Sequence, residues 1–135
     1  MAININTMNV HEFLNDCKVK VWQGTYSIVK ATLIKGEYFA AISDFNEFTL
    51  IQKQEHVEVD NVIQEEKGWR VLSFDTTLPF QMIGFITSVS RELADKQISI
   101  FAMSAYSTEH ILVKEHDLDK AVTTLKELGC VVDFF

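Results

Sequence analysis

Apolar positions in the second half of the chain change period in a definite order. Trp69-Arg70-Val71-Leu72-Ser73-Phe74 is a short apolar run of strand type. Met82, Ile86, Val89 and Leu93 then recur at i, i+4, i+7 and i+11, the stripe of an amphipathic helix that Asp95-Lys96 closes. Ile98–Met103 and His110–Val113 predict two further strands, joined through 104–109 and antiparallel to each other. Asp117 is placed to cap a helix over Leu118–Leu128, whose stripe is Leu118, Ala121, Val122, Leu125 and Leu128. Gly129 fits the C′ position, and Cys130–Phe134 supplies a last strand. The order strand, helix, strand, strand, helix, strand is the ferredoxin-like βαββαβ unit of an α+β protein.

The first half is strand-rich. Lys18–Gln23 alternates polar and apolar, and Thr25–Leu33 continues after Gly24 with β-branched and aromatic residues. Tyr38–Ser43 and Glu47–Ile51 flank Asp44-Phe45-Asn46, a hairpin connection. The acidic stretch 52–67 reads as an irregular connector holding at most one short strand. The expected organisation is a lead-in over 1–17, a strand-rich half over 18–67, and the βαββαβ unit over 68–135. The first half looks like a degenerate copy of the same plan, packed against the second in one extended sheet.

With 135 residues, 47 % of them hydrophobic and 23 % charged, the chain has ordinary globular composition. Its net charge of −7 argues against nucleic acid, which requires a clustered basic face. The first residues carry neither a basic region nor an apolar run, and no window approaches the ~20 apolar residues that span a bilayer. A cytoplasmic protein without a membrane partner is expected. Cys17 and Cys130 lack metal or redox spacing, so a buried, inert thiol is expected at Cys130, in a reducing compartment.

Catalytic chemistry finds no support. His110 and His116 have no usual ligand spacing, so no metal site is expected; no cofactor motif and no Ser–His–Asp or Cys–His arrangement is present. The candidate chemistry is a pocket between the loop that opens the first helix and the turn after the second strand. Backbone N–H groups around Met82, Ile83 and Gly84 can hold a carboxylate. Glu109 can face an ammonium, with Ser104, Ala105, Tyr106, Ser107 and Thr108 forming the opposing wall and its hydroxyls. Together they suit an α-amino acid. An ordinary hydroxyl-rich turn explains the same residues, and that alternative stays open. A second reading is an interaction module, in which some of Trp22, Tyr26, Tyr38, Phe39, Phe45 and Phe48 form an exposed patch rather than a core.

Gly68-Trp69-Arg70, the loop Pro79-Phe80 to Gly84, the run Ala94 to Ser104 and the string Thr108-Glu109-His110-Ile111-Leu112-Val113 carry a family resemblance. From about Tyr26 the chain resembles ACT-domain proteins, in particular the small tandem type related to the CASTOR arginine sensors and to aspartokinase regulatory regions. The resemblance implies a duplicated βαββαβ fold without catalytic activity. It implies an amino acid or similar small effector bound at interfaces between units, side-by-side homodimers, and a downstream protein partner to receive the signal. Phe80–Gly84 and Ser104–Glu109 are its ligand-facing elements. The chain departs from the family at Glu109 and His110, where members often carry aspartate and tyrosine, and at Ser107, where an acid or asparagine is common.

Overall fold

The structure, a computed structural model, describes residues 17–75 and 85–135. These divide into two compact units: Gly24–Arg70, and residues 17–23 with 71–75 and 85–135. One long strand contributes residues to both.

The larger unit contains β1 (Lys18–Val21), the last residues of β5 (Val62–Phe74), α1 (Phe85–Asp95), β6 (Ile100–Ser104), β7 (Glu109–Lys114), α2 (Leu118–Glu127) and β8 (Val131–Phe134). This is the expected strand and helix order, with one addition. β1 pairs antiparallel with β5 (Val19 opposite Phe74) and parallel with β8 (Lys18 opposite Val131). It is therefore inserted between the first and last strands of the βαββαβ segment. β7 lies on the other side of β5, and β6 pairs antiparallel with β7. Alternation along Lys18–Gln23 identifies a strand but not its partners, which is why it was expected in the first half.

Both helices supply the same core. Val89 and Leu93 of α1, with Leu118, Ala121, Val122 and Leu125 of α2, pack on Val19, Val21, Leu72, Phe74, Ile111 and Val113. Each helix ends in a Schellman motif. After α1, Gln97 N–H bonds Ala94 O (2.8 Å) and Ile98 N–H bonds Leu93 O (3.0 Å), with Gln97 at φ +60°. After α2, Gly129 takes the same place at φ +103°, and Cys130 N–H reaches Leu125 O at 3.0 Å. Ile98 and Leu93 are both buried, the apolar contact that accompanies such an ending. Asp117 does precede α2, but its carboxylate makes no capping bond. It instead stands 3.6 Å from His116 Nε2 and 3.9 Å from Lys120 Nζ.

The smaller unit is an antiparallel sheet in the order β3 (Ala40–Ser43), β4 (Phe48–Lys53), β2 (Tyr26–Ala31), then residues 62–70 of β5. Val29, Ala31 and Leu50 form its core, with Phe48, Val57 and Val62 packed on them. The connector expected over 52–67 is shorter than its composition implies. Two 3₁₀ turns, Gln54–His56 and Val59–Asn61, lead directly into β5, so Gln64-Glu65-Glu66-Lys67 are strand residues. Their ladder to β2 is a backbone property that a polar run conceals, and Ser27 Oγ donates to Glu65 Oε2 at 2.6 Å. β5 carries one more residue than β2 between the pairs Tyr26–Trp69 and Ile28–Glu66. Gly68 at φ +82° lies in this bulge, where a left-handed glycine is the usual solution. The six aromatics divide. Tyr26 is buried edge-on to Phe39 and Phe48 packs on the core, whereas Tyr38 is exposed and Phe45 is 97 % exposed.

Candidate functional site

The turn joining β6 to β7 is built from the pairing of its strands. Ser104 stands opposite Glu109, and Ala105 N–H donates to Thr108 O at 2.8 Å, which places Tyr106 and Ser107 at the tip. The Ser104 hydroxyl donates to Glu109 Oε1. Side chains alternate along a strand, so Glu109 shares the face of Ile111 and Val113, the face that carries both helices. His110 therefore points to the opposite face. Ser107, Thr108 and Glu109 are half-buried, Ser104 and Ala105 are exposed, and Tyr106 is 85 % exposed. The turn thus brings Ser104 and Glu109 together as a hydroxyl–carboxylate pair and sends Tyr106 outward. Phe80, Gln81, Met82, Ile83 and Gly84 lie outside the described residues.

The opposite face of the same sheet carries a polar relay. Trp22 Nε1–H donates to Ser73 Oγ at 2.7 Å, and Ser73 Oγ lies 2.6 Å from His110 Nδ1. An indole N–H can only donate, so the serine oxygen accepts from Trp22 while it also hydrogen-bonds His110 Nδ1. Burial lowers the His110 pKa, which favours the neutral ring. Phe135 packs edge-on to Trp22 with centroids 5.3 Å apart, and Lys20 Nζ lies 5.4 Å from the Phe135 centroid and 3.0 Å from Asp75 Oδ2. Ser73 is buried and its oxygen accepts from an indole, which suits a structural bridge rather than a nucleophile. The one available signal was Ser73, the lone polar side chain in Val71–Phe74; its partners, 51 and 37 residues away, had none.

In the smaller unit, an open cleft of about 480 Å³ lies beside the β3–β4 turn, lined by Lys30, Phe45, Asn46, Glu47, Phe48 and Ile63 among others. The turn itself is held by Asp44 Oδ1, which accepts from Asn46 N (2.8 Å) and Glu47 N (2.9 Å). Among the described residues, no three His, Cys, Asp or Glu side chains are grouped to hold a metal ion. None of the described helices is long and apolar enough to cross a membrane.

The chain is similar to several known proteins. The ACT domain family model matches residues 64–127. A human protein named CASTOR3P is 32 % identical over 96 residues, covering 66 % of this chain and 56 % of that protein, so the chain spans little more than half of the relative it matches. The crystal structure of protein Atu0741 from Agrobacterium tumefaciens superposes with a TM-score of 0.75 at 23 % identity, over 88 % of this chain and 93 % of that one. The ligand-free regulatory subunit of aspartate kinase from Thermus thermophilus superposes with a TM-score of 0.59 at 6 % identity, over 82 % and 95 %. At such identities these two likenesses establish the α+β fold alone.

Proposed function

We propose that this chain, whose residues 64–127 match the ACT domain family model, is a non-catalytic, cytoplasmic regulatory module that binds an amino acid and acts as a homodimer. ACT domains are regulatory modules that commonly bind small ligands and dimerise, which supports the general reading. The observation that carries the specific one is the Ser104–Glu109 pair. A half-buried carboxylate with one oxygen already bonded to a hydroxyl is fixed in direction, so it can meet a ligand ammonium without first losing side-chain freedom. In this reading Phe80, Gln81, Met82, Ile83 and Gly84 supply N–H groups to the ligand carboxylate, and the turn from Ser104 to Thr108 forms the facing wall. The ligand lies at an interface between ACT units. The degenerate ACT-like half expected over 18–67 keeps its strands from residue 24 onward, and β1 joins the ACT domain proper. Binding alters the population of a shape that a downstream protein recognises.

Thermal unfolding against a panel of amino acids tests this reading. A ligand at a hundredfold excess over its Kd adds about 2.7 kcal/mol, enough to raise the midpoint by several degrees. One or two related amino acids are expected to shift the wild-type protein, and Glu109→Ala is expected to abolish the shift while keeping its own transition. A flat panel, or an undiminished shift in Glu109→Ala, overturns the assignment. Light scattering checks the dimer.

The exposed apolar residues of Gly24–Arg70 favour a second reading, an interaction module without ligand. Leu33, Ile42, Phe45, Val59 and Ile63 are all more than 40 % exposed. A flat panel together with partner capture that Phe45→Asp removes would select it.

A further inference from the structure

Cys17 and Cys130 are 113 residues apart in sequence, yet each immediately precedes one of two neighbouring strands. Lys18 stands opposite Val131 in the parallel β1–β8 pair, and Val131 N–H donates to Cys17 O at 3.0 Å. The two cysteines are the next pair in this register. Neighbouring strands lie ~4.8 Å apart, inside the ~4.4–6.8 Å Cα separation that a disulfide accepts. Both side chains enter the same core, at 1 % and 5 % exposure, and their sulfurs are 2.6 Å apart. In this structure they are free thiols. Cys130 is buried as expected, and chain folding gives it a neighbouring thiol that sequence spacing hides.

We propose that Cys17 and Cys130 are a redox-modification site, a dithiol that a small peroxide converts reversibly into a disulfide joining β1 to the α2–β8 junction. Three geometric features support it. The register needs no backbone movement to bring the sulfurs together. Both side chains belong to the apolar core cluster, and the sulfurs hydrogen-bond each other. β8 pairs with β1 as the last strand of its sheet, so the bond would fasten an edge strand that one ladder holds.

The roles of the two sulfurs differ. The hydrogen bond to Cys130, reinforced by burial, raises the Cys17 pKa far above the thiol range, and the same bond lowers that of Cys130 against its own burial. Cys130, at 5 % exposure against 1 % for Cys17, is the sulfur that a peroxide reaches first, and Cys17 is the resolving thiol. In the first step the Cys130 thiolate attacks one peroxide oxygen; the O–O bond breaks, sulfenic acid forms, and hydroxide leaves to take up the proton that Cys130 released. In the second, Cys17 sulfur attacks Cys130 Sγ, the S–O bond breaks, and water leaves with the Cys17 proton. Two thiols and one hydrogen peroxide give one disulfide and two waters. An external dithiol returns the pair to thiols by exchange.

The folded protein is treated with hydrogen peroxide, denatured, alkylated and analysed by intact mass and peptide mapping. A Cys17–Cys130 cross-linked peptide is expected, with loss of two alkylatable thiols, a mass lower by two hydrogens, and a midpoint raised by several degrees. Dithiothreitol is expected to reverse all four. Cys17→Ser is expected to stop at Cys130 sulfenic or sulfinic acid, and Cys130→Ser to leave Cys17 alkylatable. Two thiols still alkylatable after exposure of the wild-type protein overturn the proposal. So does sulfinic acid on wild-type Cys130 without cross-link, or a disulfide only between chains. All three refuting outcomes are read on the wild-type chain and do not depend on either variant folding.

Discussion

Asn61→Ala tests how the smaller unit holds its strands together. Asn61 is 3 % exposed and makes three side-chain hydrogen bonds to the end of β2. Its Oδ1 accepts from Thr32 Oγ1 at 2.6 Å and from Leu33 N–H at 2.9 Å, and its Nδ2 donates to Leu33 O at 2.9 Å. At a net ~0.5–1.5 kcal/mol per bond, the truncation is expected to cost about 3 kcal/mol. Thr32→Val removes one of the three and is expected to cost about 1 kcal/mol. The double variant is expected to cost less than the sum, because both changes remove the same bond. Trp69 belongs to this unit and Trp22 to the other, so Trp22→Phe leaves Trp69 as the fluorescent reporter. Urea unfolding followed at Trp69 gives the free energies, with an unchanged slope as the sign that stability alone has moved. A loss below about 0.5 kcal/mol for Asn61→Ala would refute the clamp, since that falls under even one ordinary hydrogen bond.

Two further predictions concern the larger unit. Leu93→Ala empties a fully buried position of α1, and a loss of about 2–5 kcal/mol is expected in denaturant unfolding; a loss under about 1 kcal/mol would mean that α1 does not pack on the sheet as described. His110 has a folded pKa below its unfolded value of about 6.5, so as pH falls from there toward the folded value the unfolded chain gains a proton that the native one refuses, and stability declines. His110→Gln is expected to flatten that part of the pH–stability curve, and an unaltered slope in the variant would assign it to other groups.

Much of the larger unit is legible in the chain because helix and strand periods are local. Ile86, Val89 and Leu93 place the buried face of α1, Leu118 to Leu125 that of α2, and Gly129 marks an end that the Schellman bonds complete. The turn between β6 and β7 is legible too, as a cluster of small and hydroxyl residues between two apolar runs. Its chemistry is less so. Whether Glu109 shares a face with Ile111 or with His110 follows from the pleat, but that Ser104 stands opposite it depends on the register of two strands.

By itself, then, the sequence determined the kind and order of elements: α+β, with two amphipathic helices between short strands. Periodicity and end signals act over a few residues and need no distant partner. Tertiary structure alone decided that β1 is inserted between β5 and β8, and that the acidic residues before Gly68 are strand. It also decided that Trp22 and His110 meet through Ser73, and that Cys17 meets Cys130. Each of these joins groups dozens of residues apart, and the free energy that selects them comes from burial and pairing across the sheet, which no local pattern records.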